Sequence, residues 1–140
     1  MNRILSAGLM MIVLAPWPIS AVEVACPKAP PFHDWQGFRL ESSQIRSLKK
    51  DEVPKSLGAV AGVSVFDGSP TEMADLVPDN PDAFGKAPVV WSFSGDMKRS
   101  VWVVCRYRKS TIAFGKALPL GVRTCSADGR PGKGFKIQCK

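Results

Sequence analysis

Four cysteines, Cys26, Cys105, Cys125 and Cys139, restrict the folds open to this chain more than any other feature of it. All four lie beyond an N-terminal stretch that reads as an export signal. Arg3 supplies a positive start, Ile4 to Ala15 is uncharged and mostly apolar, and Pro16 and Pro18 interrupt that run ahead of a small residue, Ala21. The run is too short to span a bilayer, which takes roughly 20 residues. The expected organisation is a cleaved signal peptide over residues 1–21 and one exported domain over residues 22–140. In an oxidising compartment four cysteines read as two disulfides. Their intervals of 79, 20 and 14 residues do not resemble the short C-x-x-C pairs of zinc sites or redox motifs.

Which cysteines pair depends on the strands that carry them. "CPKAPP" is too rich in proline for a helix and is expected to run extended along the surface. Residues 35–56 show no settled period. In "AVAGVSVFDG", Val63 and Val65 alternate with Gly62 and Ser64, as in a strand with one buried face. Asp67-Gly68 then supplies turn chemistry. Ser69 as N-cap, Pro70 in the first helical position and Glu72 closing a capping box predict a short helix bearing Met73, Leu76 and Val77, stopped by Pro78.

From Pro88 onward the pattern is β. Val89, Trp91 and Phe93 share one face of a strand; Val101, Val103, Cys105 and Tyr107 share a face of the next, with Trp102 and Val104 on the other. "TIAFGKAL", "GVRTCS" and "GFKIQC" follow. The expected fold is a β-rich α+β domain: a single antiparallel meander sheet of five to six strands with one short helix, braced by disulfides. In such a meander "TIAFGKAL" separates the strands of Cys105 and Cys125 by two spacings, about 9.6 Å. A disulfide needs Cα atoms within roughly 7 Å. The expected pairs are therefore Cys125–Cys139 across the last hairpin and Cys26–Cys105, whereas an irregular crossing near "LPLG" would restore Cys105–Cys125.

The chain offers little chemistry. Its single histidine, His33, neighbours Asp34 in sequence, but a catalytic pair has to meet in space. There is no G-x-S-x-G, H-E-x-x-H, P-loop or G-x-G-x-x-G pattern. The expectation is a non-enzyme with no cofactor and no metal. Charge is uneven instead: residues 22–85 carry 6 Lys+Arg against 10 Asp+Glu, and residues 86–140 carry 12 against 2. A basic half steers toward acidic partners, and export argues against nucleic acid. Arg106, Arg108 and Lys109 surround a predicted hairpin tip, Lys98 and Arg99 lie on the preceding connection, and Trp102 shares a face with the arginines by strand parity. An aromatic residue beside arginines is a composition favoured at protein interfaces, so these six residues form the expected partner-binding set.

Several stretches taken in order, "ACP", "VSVFDGSPTEMADLVPD", "WSF" before "VWVVCRY", "ALPLGVRTC" and a terminal "IQC", resemble a family of small periplasmic proteins of Gram-negative bacteria encoded in type VI secretion clusters. Some members resemble immunity proteins against cell-wall-attacking effectors related to L,D-transpeptidases. The resemblance implies a periplasmic immunity or inhibitor protein that blocks an exported wall-active enzyme, with an acidic partner suggested by the basic half. A lysozyme inhibitor is a second inhibitory reading. A structural envelope protein that holds peptidoglycan or anionic lipid on its basic face is a third.

Overall fold

Apolar residues at every second position set the strands, and the residues between them decide how many layers are needed. The computed structural model describes residues 20–30, 32–93 and 98–140; the expected signal peptide lies almost wholly outside the described residues. Among the described residues nine strands form: β1 (Val22–Ala25), β2 (Gln36–Leu40), β3 (Ile45–Ser47), β4 (Val60–Asp67), β5 (Val89–Ser92), β6 (Val101–Tyr107), β7 (Ile112–Ala117), β8 (Thr124–Arg130) and β9 (Gly134–Cys139). They make two antiparallel sheets, ordered β1-β9-β8-β5 and β3-β2-β7-β6-β4. The expected single meander is thus corrected to two layers. The reason lies in β6, which is apolar on both faces: the second sheet covers one face, and the curl of its own five-stranded sheet covers the other.

Val101, Val103, Cys105 and Tyr107 point from β6 into the main core, where they meet Val63 and Val65 of β4, Trp91 of β5 and Ile137 of β9. Val104, on the other face, joins a second small core with Phe66 and Ala113, covered by Leu40, Ile45 and Trp102. The five-stranded sheet curls around this second core until β3 comes against the Pro70–Glu72 turn beyond its other edge. The β6–β7 and β8–β9 hairpins are both present. However, β5 pairs with β8 and β7 pairs with β2. The chain crosses between layers at residues 118–123, where Leu118 and Val122 are buried and Gly121 takes a φ of 94°, open at little cost to glycine.

Both expected disulfides form despite that crossing. Cys125 lies directly opposite Cys139. Their neighbours Thr124 and Lys140 exchange both backbone hydrogen bonds, so the cysteines occupy the close, non-hydrogen-bonded position, with Cα atoms 4.1 Å apart. Cys26 follows β1 on one sheet and Cys105 lies in β6 of the other, 5.8 Å apart, so this bridge ties the layers together. Cys105 and Cys125 are kept apart by being in different sheets, not by an intervening strand of one sheet.

The short helix expected after Ser69 is a single 3₁₀ turn, Pro70–Glu72. Met73 enters the left-handed region at φ 59°, and the chain then folds back along β4. Asp67 N–H donates to the Ala74 carbonyl and Leu76 N–H to the Val65 carbonyl. Satisfying the open edge of β4 and burying Leu76 together outweigh a two-turn helix that Pro78 would end in any case. The capping box does not form either: Ser69 makes no side-chain cap bond. The Glu72 and Asp67 carboxylates both pair with Arg99. Gly68 sits under this clamp at φ 83°, where an added Cβ would lie 2.7 Å from Glu72 Oε2.

Residues 35–56, without a clear period in the sequence, are held by contacts distant from one another. Arg39 and Arg46 face each other across β2 and β3, an arrangement of like charges stabilised by Glu52. Arg46 donates to both Glu52 oxygens at 2.9 and 2.7 Å, and the Lys49 N–H donates at 2.8 Å. These bonds hold the Glu52 carboxyl well below its usual value of 4.5, at about 2. Because the folded form is the more acidic, the stabilisation is complete above pH 4.5 and lost as pH falls toward 2. The melting-temperature difference between wild type and Glu52→Gln is therefore expected to shrink steadily across that window. A difference independent of pH there would exclude the pairing.

Candidate functional site

The six residues expected to bind a partner separate into distinct places. Arg99 is occupied within the fold, 3.3 Å from Asp67 and paired with Glu72, and so secures the turn after β4. Lys98 is exposed beside it. Trp102 and Arg106 share the curled face of the five-stranded sheet, as strand parity indicates. Trp102 is half-buried, edge-on to Phe38 at 5.9 Å. Arg108 leaves that face. Its N–H donates to the Ala59 carbonyl and its guanidinium lies over Gly132 in the β8–β9 turn, so close that a Cβ there would be 3.2 Å away. Lys109 follows in the β6–β7 turn at φ 54°.

Arg106 opens onto a shallow groove of about 220 Å³ at the mouth of the curled sheet, with Leu40, Ile45, Phe66 and Met73 as its apolar wall. Asp75 lies 3.7 Å from Arg106. Burial pushes the Asp75 carboxyl above the usual carboxylate range, opposed by the Arg106 charge and by the Leu76 backbone. Arg106 Nε is buried without a hydrogen-bond partner. Half the Met73 surface is exposed at the rim, 51%. This face offers apolar contact, with its charge largely matched internally.

A second surface, at the end of the sandwich where β4 starts, is different. Two adjoining grooves, of about 410 and 300 Å³, share Lys28, Val60, Lys133 and Gly134. Lys136, Phe135 and Asp128 extend the first, and Leu57, Gly58 and Gly132 extend the second. Arg108, Lys109 and Arg130 stand at the two hairpin tips beside them. Their frame is rigid. Gly132 N–H donates to the Val60 carbonyl and Leu57 N–H to the Lys28 carbonyl. Tyr107 Oη donates to the Pro27 carbonyl at 2.5 Å, and burial raises the Tyr107 phenol above its ordinary value, which keeps it a donor. Among the described residues, the ion pairs engage Arg39, Arg46, Arg99 and Arg106 and none of these end cations. Reading the sequence locally missed Lys28, Lys133 and Lys136, because Lys28 is brought to the β8–β9 hairpin only by the fold; for Lys133 and Lys136 the charge excess after residue 86 was the available signal.

Among the described residues no three His, Cys, Asp or Glu side chains gather as metal ligands. No cysteine is free. His33 is exposed in a loop, next to Asp34 in a left-handed turn. Among the described residues no helix is long and apolar enough to cross a membrane.

No curated protein and no solved structure matches the chain. A family model does: the one described as type VI secretion system Tli immunity protein matches residues 54–140. That span runs from the approach to β4 to the C-terminal residue and contains Arg108, Lys133 and Lys136 of the basic end, along with three of the four cysteines. With more than half of its length matched, the chain belongs to the Tli immunity protein family of the type VI secretion system.

Proposed function

We propose that this chain works in the periplasm as the antidote to a type VI secretion effector, which it neutralises by direct binding and without chemistry of its own. The family match over residues 54–140 carries this reading, since an immunity family implies an effector as partner. The fold supports it in two ways. Two disulfides, one of them tying the layers together, suit an oxidising compartment. They also make a rigid surface, which loses little entropy on binding. Strand β1 begins at Val22, directly after the expected cut at Ala21, so cleavage there leaves the domain whole. The six residues read from the sequence contribute unequally in this proposal: Arg108 and Lys109 face the partner, Trp102 and Arg106 form a second contact on the curled face, Arg99 holds the turn after β4, and Lys98 beside it lies outside the interface.

The test is periplasmic co-expression with the product of each adjacent reading frame in a sensitive host. One neighbour is expected to be toxic, to be rescued by this protein, and to co-elute with it after purification. A toxic neighbour that this well-expressed protein neither rescues nor binds refutes the proposal. The fuller reading, that the effector attacks the cell wall, is checked in the same cells by release of muropeptides. Lipid hydrolysis instead would reassign the target and leave immunity standing.

A further inference from the structure

We infer that the basic double groove at the end of the sandwich is the effector-docking surface, and that it takes a carboxylate-rich, extended segment of the effector. This rests on the immunity reading and adds to it the place and chemistry of contact. The arginines of the curled face and of the β4 turn already have carboxylate partners within the chain: Glu41 and Glu52, Asp67 and Glu72, Asp75. Lys28, Lys133 and Lys136 have no such partner among the described residues; they line the two grooves together, and Asp128 is the one acid in the walls.

Groove shape selects among anionic partners. The walls alternate lysines with apolar Leu57, Val60 and Phe135, and much of the floor is backbone at Gly58, Gly132 and Gly134. A Cβ added at Gly134 would meet nothing within 4 Å, so an approaching chain has room there. Lysines on the walls of a cleft, with apolar patches between them, fit a peptide that carries both carboxylates and apolar side chains. A flat bilayer cannot enter a concave cleft, and a polyanion would leave the apolar patches unused. Assembly from three segments, Lys28 after β1, Gly58 before β4 and Lys133 in the β8–β9 turn, makes the cleft a product of the folded and bridged chain. Cys26 itself lines the first groove, and its bridge to Cys105 fixes Lys28 in place.

The experiment measures binding of the purified toxic neighbour to the full mature protein and to three variants: Lys28→Glu with Lys133→Glu, Lys28→Gln with Lys133→Gln, and Lys98→Glu. Lys28, Lys133 and Lys98 are all exposed, and equal melting curves confirm intact folding. At about 0.05 M salt the double reversal is expected to weaken binding about 100-fold, the double neutralisation about tenfold, and Lys98→Glu less than about twofold. Wild-type binding is expected to weaken about tenfold between about 0.05 and 0.5 M salt, as screening shortens the reach of the charges. Full affinity in the double reversal overturns the groove while leaving immunity intact. Wild type that binds no neighbour removes both readings. Phosphatidylglycerol vesicles and purified sacculi serve as the remaining arms: if the double reversal abolishes binding to either of these but not to the effector, the groove belongs to the envelope and the inference falls.

Discussion

Replacing Cys26 and Cys105 together by alanine is expected to lower the stability of the oxidised protein by about 4–5 kcal/mol, enough to move its melting temperature by on the order of 15–20 °C. The bridge closes a loop with a sequence separation of 79, against 14 for Cys125–Cys139. In the chain-entropy account the shorter loop is worth about 3 kcal/mol. The larger effect also has a structural cause. Cys105 is fully buried, and its partner lies on the opposite layer, so the bridge joins the two sheets across the main core. The Cys125–Cys139 bridge joins two strands that already share a backbone ladder. Thermal melts of the two double variants beside wild type give the ordering directly. Equal losses, or a greater loss for the shorter loop, would show that the inter-sheet bridge is not what closes this fold. Losing it should also lower rescue of co-expressing cells, since Lys28 then has no fixed place.

Phe38→Ala is expected to cost about 3–5 kcal/mol in urea unfolding. Phe38 is inaccessible to solvent and stands on β2, between β3 and β7 of the curled sheet. Its ring meets Trp102 edge-on and fills the space above Gly115, where an added Cβ would lie 2.9 Å from it. The walls of the resulting cavity are strands held by ladders on both sides, so they have little freedom to collapse into it. Trp102 loses its aromatic partner, and its fluorescence should shift toward that of a solvated indole. A cost below about 1.5 kcal/mol with unchanged fluorescence would mean that the second core is not closed over Phe38.

Phe38 also shows where reading from sequence stops. Its stretch, "DWQGFRLESSQIRSLKK", had no usable period because Phe38 packs on remote Trp102 and pairs with Ala113 of β7, while the residues around it answer to particular side chains and not to a repeat. Gly37 is needed so that Leu48 can pack down, with Leu48 Cδ1 2.6 Å from where a Cβ would be, and Arg39 and Arg46 are held by Glu52. Strand faces were legible elsewhere. Val63, Val65, Val101, Val103, Ile137 and Cys139 are all buried as alternation indicates, since a pleated backbone turns successive side chains to opposite sides whatever lies beside it. The helix expected after Ser69 does not form, for the complementary reason: its capping residues are sound locally, but Glu72 has a stronger partner in Arg99, brought from a distant part of the chain.

The candidate site divides in the same way. Arg106 and Trp102 share a face, as parity along one strand requires. Arg108 belongs to another surface, because the strand ends at Tyr107 and the following turn swings its side chain over Gly132. Nothing in the spacing of residues 28, 108, 133 and 136 indicates that they meet.

From the sequence alone came the family resemblance, the strand faces, the even cysteine count and the excess of positive charge after residue 86, all properties carried by short stretches or by simple totals. The tertiary structure decided which strands are neighbours, which arginines are matched within the chain, and which lysines line a common groove. Pairing between sheets and charges depends on the backbone crossing at residues 118–123 and on the bridge from Cys26 to Cys105. Alternation specifies which way a side chain points along its own strand, but it leaves open which strand lies next to it.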